Sequence, residues 1–266
     1  MNFSDCAYDI IILAGQSNAA GTGRGEVKEE YVPDENIISL SPVFDISRKI
    51  EDGIDKRWIN YKDTLPVFEI AHERIAKEVK NGDLSLTFSK EYINNGYLNS
   101  GRKVLIIRAA IGATGFMHGH WGVGKPLYSK MVELVEYALS QNPENKLKVL
   151  LWHQGEHEVG KKNPPEKYFN ELRNLFRDFK KRFDSENLPI ISADFSHEWK
   201  HTKGAEGQAI SNVIRKVVTG EGGIYLETDD LLSNNQKNGD KDIIHFCRES
   251  LYTLGKRYFE AYKKLQ

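Results

Sequence analysis

Cysteine is almost missing: Cys6 and Cys247 are the only two in 266 residues. Two thiols cannot staple a chain of this length, so both read as ordinary thiols and packing must hold the core. An excess of one charge is missing too. Lys and Arg total 37, Asp and Glu 38. Near neutrality, no long-range field draws the chain to nucleic acid or to an anionic membrane, and neither is expected as a partner. No stretch reaches the ~18 consecutive apolar residues of a membrane span. The opening segment, MNFSDCAYDIIILAGQSN, has no basic leader, no long apolar run and no small-residue cleavage site. A soluble, cytoplasmic protein is the expectation. Repeats and low-complexity segments do not occur.

What is present alternates. Residues 8–14 (YDIIILA) form a nearly continuous apolar run, as in a strand covered on both faces. Residues 36–40, 103–109 (KVLIIRA), 147–152 (LKVLLW), 188–193 (LPIISA) and 223–226 (GIYL) repeat that signature. Helical spacing lies between them, over residues 66–79, 126–139, 165–183, 204–218 and 248–265. Residues 66–79 (PVFEIAHERIAKEV) put Phe68, Ala71, Ile75 and Val79 near one face. Residues 81–101 are polar and turn-rich and read as an insertion; 231–241 read as an exposed loop. Strands alternating with helices predict a parallel sheet with helices on both faces, in one domain over 1–266. Such sheets place their sites beyond the C-terminal strand ends.

Four motifs stand at or near those ends. Gly15-Gln16-Ser17-Asn18 follows the first strand, so the Ser17 hydroxyl is presented on fixed backbone. Ser17 and Asn18 are also good helix caps. Asp242-Ile243-Ile244-His245 supplies what a serine nucleophile needs: an imidazole to take its proton and a carboxylate to orient the imidazole. Trp152-His153-Gln154-Gly155-Glu156 offers the Gln154 amide as a donor to a tetrahedral oxyanion. Ala110-Ile111-Gly112-Ala113-Thr114-Gly115 offers the Gly112 N–H, and Ser17 its own N–H, although Gly112 and Gly115 also suit a plain turn. Phe116 and Trp121, flanking His118 and His120, read as the rim of a sugar site.

Two rivals come from the same residues. Residues 153–157 match H-x-x-E-H, a zinc-hydrolase pattern that needs both histidines on one helical face. Gly155 and a start directly after a strand argue for a loop instead. The run GQSNAAGTGRG is a glycine-bearing loop that could cradle a nucleotide phosphate, but it fits neither phosphate-loop register.

In this order, GQSN, AIGATG, WHQGE and a late DxxH followed by Phe resemble the SGNH hydrolase superfamily, and within it the sialate O-acetylesterase and acetylxylan esterase-like branch, carbohydrate esterase family six. The likeness spans residues 8–258, and PVFEIAHERIA fits that family's first long helix. It implies a three-layer α/β/α sandwich with a mainly parallel, five-stranded, flavodoxin-like sheet. It implies Ser17 as nucleophile, His245 as base, Asp242 as orienting acid, and an oxyanion hole from Ser17, Gly112 and Gln154. The implied substrate is an acetylated carbohydrate: acetylated xylan, a xylo-oligosaccharide or an O-acetyl sialic acid. No metal or organic cofactor is implied. Two positions depart from the pattern: Ala113 replaces a second glycine, and Glu158 stands where aspartate is usual.

Overall fold

The computed structural model describes residues 3–32, 34–51, 54–76, 79–160 and 164–266. In chain order the elements are β1 (Ala7–Gly15), α1 (Ser17–Ala20), β2 (Ile37–Ser41), β3 (Phe44–Glu51), β4 (Ile54–Tyr61), β5 (Val67–Ile70), β6 (Arg74–Ala76), β7 (Val79–Asn81), α2 (Leu84–Asn94), β8 (Arg102–Ala110) and α3 (Pro126–Gln141). Then come β9 (Lys146–His153), α4 (Pro165–Arg182), β10 (Ile190–Ala193), α5 (His197–Gly220), β11 (Ile224–Leu226), α6 (Asn234–Asn238) and α7 (Arg248–Lys263).

The sheet runs β11-β10-β9-β1-β8-β2-β5, parallel throughout except for the edge strand β5, which is antiparallel to β2. All nine residues of β1 are buried. Their side chains alternate between two apolar layers, as the two-residue period of a strand demands. Ile10 and Ile12 meet residues of α3, α4 and α5; Ile11 and Leu13 meet residues of α2 and α7. Each such isoleucine or leucine contributes about 2 kcal/mol by leaving water. The result is the expected α/β/α sandwich. No helix among the described residues is long and apolar enough to cross a membrane.

Four expectations are corrected. The sheet has seven strands, not five, because β5 and β11 extend its two edges. Residues 66–79 do not form the long helix that their spacing suggests. Residues 67–70 pair with β2 (Ile38↔Ile70, Ser41↔Val67), and β6 pairs with β7; 77 and 78 lie outside the described residues. The unpaired edge of β2 needs a partner for its N–H and C=O groups, and that need outweighs a helical pattern. Within 81–101, the assumed insertion, lies α2. Asp83 caps it, accepting from the N–H groups of Ser85 (2.8 Å) and Leu86 (3.3 Å). Leu84, Phe88 and Tyr92, four apart, face the core. The 231–241 loop also contains a helix, α6, held by a Ser233–Gln236 capping box.

The order of strands places the site. β1 lies in the middle; the chain first lays down β2 and β5 on one side, returns to place β8 beside β1, and then crosses to build β9, β10 and β11 on the other side. That reversal opens a crevice at the C-terminal ends of β1, β8 and β9. GQSN leaves β1, AIGATG leaves β8 and HQGEH leaves β9 at that end.

Candidate active site

Ser17 opens α1, one residue after the turn from β1. Gly15 makes that turn at φ 139°, and a Cβ there would lie 2.0 Å from the His153 carbonyl oxygen. Only glycine fits. The Gln16 N–H donates to the same carbonyl (2.9 Å), which ties the turn to β9. Gly112 approaches from β8: a Cβ on it would meet Ser17 Cβ at 3.4 Å. The N–H groups of Ser17, Gly112 and Ala113 make no hydrogen bond among the described residues.

Asp242 and His245 precede α7. Both Asp242 carboxylate oxygens lie 2.9 Å from His245 Nδ1. Burial alone would raise the Asp242 pKa. The hydrogen bond and charge of His245, with a bond from Asn234, outweigh it and hold the carboxyl below its usual value. Asn234 Nδ2 donates to Asp242 Oδ2 (3.1 Å) and to the Thr22 carbonyl (3.1 Å), while its Oδ1 accepts from the Arg24 N–H (2.9 Å).

Asn18 joins the two halves. Its Nδ2 donates to the Ile244 carbonyl (3.3 Å), and its Oδ1 accepts from the Phe246 N–H (3.1 Å). The residue after Ser17 is thus bonded to both neighbours of His245, across 226 and 228 positions of sequence. Asn18 Nδ2 also donates to Glu156 Oε1 (2.8 Å). Glu156 is buried, and that burial raises its pKa despite the bond from Asn18 and the charge of His245.

Gln154 and the aromatic pair are placed otherwise than the sequence suggests. Gln154 is 1% exposed. Its Nε2 already donates to Glu158 Oε1 (3.0 Å) and to the Thr114 carbonyl (3.4 Å), and its Oε1 accepts from the Tyr168 hydroxyl (3.0 Å). The buried Glu158 carboxylate attracts the amide, and Glu158 Oε1 also receives the Phe116 N–H (2.8 Å). Gln154 therefore braces the loop after β8 and offers no donor to an oxyanion. Phe116 and Trp121 are 4% and 1% exposed and pack on Trp152. As core residues they present no face to a sugar. His120 is buried as well. Its Nδ1 accepts from the Gly115 N–H (3.3 Å), so Nε2 carries the proton and donates to the Arg57 carbonyl (2.8 Å).

The zinc pattern loses its geometry. His153 ends β9, its ring buried with Nδ1 facing the Tyr258 hydroxyl (3.3 Å), and residues 156–158 form a single 3₁₀ turn after Gly155 at φ 151°. The two histidines share no helical face. Cys6 and Cys247 are free thiols.

A cavity of about 350 Å³ opens on the Gly112 side of Ser17, which does not itself line it. Ala20, Ser39, Phe44, Arg57, His72 and Gly112 contribute to its lining. Neither the place of Arg57 and Asn234 at the site nor the bridging role of Asn18 was readable in the sequence, because most of their partners lie far off in the chain.

Comparison with known proteins gives the same assignment. A probable carbohydrate esterase of Arabidopsis thaliana is 25% identical over 276 residues, 95% of this chain and 89% of its own. Its crystal structure superposes with a TM-score of 0.72 at 21% identity, over 97% of this chain and 98% of that one. A probable 9-O-acetyl-N-acetylneuraminic acid deacetylase of Escherichia coli is 22% identical over 79% of this chain and 76% of its own. The fold is also that of a lipase/acylhydrolase from Enterococcus faecalis (TM-score 0.52, 10% identity, 97% of each chain). Residues 7–264 match the family described as carbohydrate esterase, sialic acid-specific acetylesterase. With four of its motifs gathered at one end of the sheet and 258 of 266 residues matched, this chain belongs to that esterase family.

Proposed function

We propose that the chain removes O-acetyl groups from a carbohydrate through an acetyl-serine intermediate. The observation that carries this reading is the Asn18 bridge, which draws the Ser17 turn and the His245 loop into direct contact. His245 Nε2 takes the Ser17 proton while Nδ1 stays on Asp242. Ser17 Oγ then attacks the acetyl carbonyl carbon, and the oxyanion that forms is met by the N–H groups of Ser17 and Gly112. Collapse breaks the C–O bond to the sugar, and His245 returns the proton to the leaving oxygen. Water, deprotonated by the same imidazole, releases acetate and restores Ser17.

The proposed substrate is an O-acetylated sialic acid in preference to acetylated xylan or its oligomers. The class of the family and of one relative supports that order. Acetate release from O-acetylated sialic acid and from acetylated xylo-oligosaccharides tests both parts. Turnover of the sialic acid ester should exceed that of the xylan ester, and Ser17→Ala should abolish both. Retained activity in Ser17→Ala refutes the nucleophile; a preference for xylan refutes the substrate.

A further inference from the structure

The ribbon β3–β4 stands outside the main sheet, yet it reaches the site. Its register (Phe44↔Tyr61, Ile46↔Ile59, Arg48↔Arg57) puts Phe44, Ile46 and Arg57 on one face, and all three line the cavity on the Gly112 side of Ser17. Arg57 is fastened at two points. Its carbonyl accepts from His120 Nε2 (2.8 Å), and its Nη1 donates to the Gly112 carbonyl. His120 in turn receives the Gly115 N–H (3.3 Å). Arg57 thus grips the turn after β8 directly at Gly112 and, through His120, at Gly115.

Two successive peptide planes of this turn have pinned carbonyls. The Thr114 hydroxyl donates to the Ile111 carbonyl (2.6 Å) and is itself met by Trp121 Nε1 (3.3 Å). Arg57 holds the Gly112 carbonyl. In a trans peptide the N–H points opposite to the C=O. Fixing these two carbonyls therefore fixes the N–H groups of Gly112 and Ala113, neither of which has a partner among the described residues. The turn is not relaxed: Ala113 sits at φ 56°, a conformation that persists only where its surroundings enforce it. The Gln154 amide, bonded to Glu158 and Thr114, does not share this task.

We propose that Arg57 is a positioning residue for the oxyanion hole: by holding the Gly112 carbonyl it fixes the Gly112–Ala113 peptide, whose Ala113 N–H joins that of Gly112 as a donor to the oxyanion, so that the outlying ribbon completes the site. This rests on the reading of Ser17 as nucleophile.

The test uses 4-nitrophenyl acetate, which carries neither a sugar nor a carboxylate. Arg57→Ala should lower kcat roughly 10- to 100-fold, at or below the loss of an oxyanion donor itself because the donor is misaimed and not removed, while KM changes less than about twofold. Arg57→Lys should retain an intermediate kcat, because an ammonium donates to a carbonyl but lacks the rigid fork. Millimolar guanidinium chloride, far below denaturing concentrations, should restore part of the kcat of Arg57→Ala and leave the wild type unchanged. Three results would overturn the proposal. One is an unchanged kcat in Arg57→Ala. Another is an equal loss in the Ala and Lys variants with no rescue by guanidinium. The third is a defect confined to KM for O-acetylated sialic acid, which would make Arg57 a substrate contact. Full hydrolysis by Ser17→Ala, by contrast, would refute the underlying nucleophile assignment.

Discussion

Ala113 stands where the resemblance leads one to expect glycine, and its φ of 56° shows what that glycine would relieve. A β-carbon in the left-handed region costs about 1–2 kcal/mol, partly offset by the greater freedom of glycine in the unfolded chain. Ala113→Gly should therefore raise stability by about 0.5–1 kcal/mol, read as a rise of roughly 1–4 °C in Tm by calorimetry. A fall in Tm would mean that the turn is unstrained. Asn18 illustrates the opposite case. Asn18→Ala strands a Glu156 oxygen, the Ile244 carbonyl and the Phe246 N–H. Loss of buried partners on that scale should cost about 2–4 kcal/mol and lower kcat by more than about tenfold, because the His245 loop loses its anchor. Wild-type kcat in that variant would show that the loop holds itself. Ser17, Asp242 and His245 could be singled out as candidates because a hydroxyl, an imidazole and a carboxylate are chemically distinctive types at telling places. Asn18 and Asn234 were not, since an asparagine reveals its partners only once the chain has folded.

Strands and helices were legible where one periodicity was unopposed. The apolar runs of β1, β8 and β9 could only be buried strands, and α3, α4 and α7 follow their apolar spacing almost to the residue. Errors gathered between β2 and β8, where local pattern and tertiary need disagree: β5 carries a helical pattern but completes the edge of β2. The start of α2 was marked by Asp83, whose capping role is hidden in a polar stretch. That residue does more than cap. Arg108 Nη1 lies 2.8 Å from its Oδ2. Burial would raise the Asp83 pKa, but Arg108 and the Ser85 bonds prevail and lower it. A carboxyl with a depressed folded pKa stabilises above its unfolded value and loses that contribution as pH falls through the folded one. Asp83→Asn should cost about 3 kcal/mol at pH 7, where Arg108 is left without its counter-charge. The gap from wild type should narrow as pH falls below the usual aspartate value of 3.8 in urea unfolding. A gap independent of pH would remove the charge from the explanation.

At the scale of the molecule, two buried groups beneath the site set opposing slopes. Burial lowers the His153 pKa to about 4 and raises that of Glu156, whose Oε1 is 3.9 Å from His153 Nε2. Between the usual histidine value and about 4, unfolded His153 binds a proton that the folded form refuses, so stability falls on acidification. Glu156 keeps its proton longer when folded, so its contribution is full at low pH and fades on alkalinisation. His153→Gln should tilt the stability profile between pH 4 and 7 toward acid, by up to about 1.4 kcal/mol per pH unit. Glu156→Gln should tilt it the other way. Parallel profiles for both variants and wild type in thermal unfolding would show that neither proton is coupled to folding. The sandwich as a whole was readable from the alternation of elements. The width of the sheet and the reach of the β3–β4 ribbon were not, because both depend on pairings that no local pattern encodes.

The central place of β1 has a consequence for biosynthesis. Of the strands in this sheet the ribosome makes β1 before the others, yet its neighbours begin only at Arg102 and Lys146. Until they emerge, an apolar ribbon has both flanks open, which makes it a natural client for a holding chaperone and a seed for aggregation. The proposed centre matures later still. Phe246, which Asn18 must clasp, follows it by 228 residues, or roughly 10–50 s of translation. A nascent or prematurely released polypeptide would carry the serine without its imidazole, so only chains translated past that point acquire esterase competence.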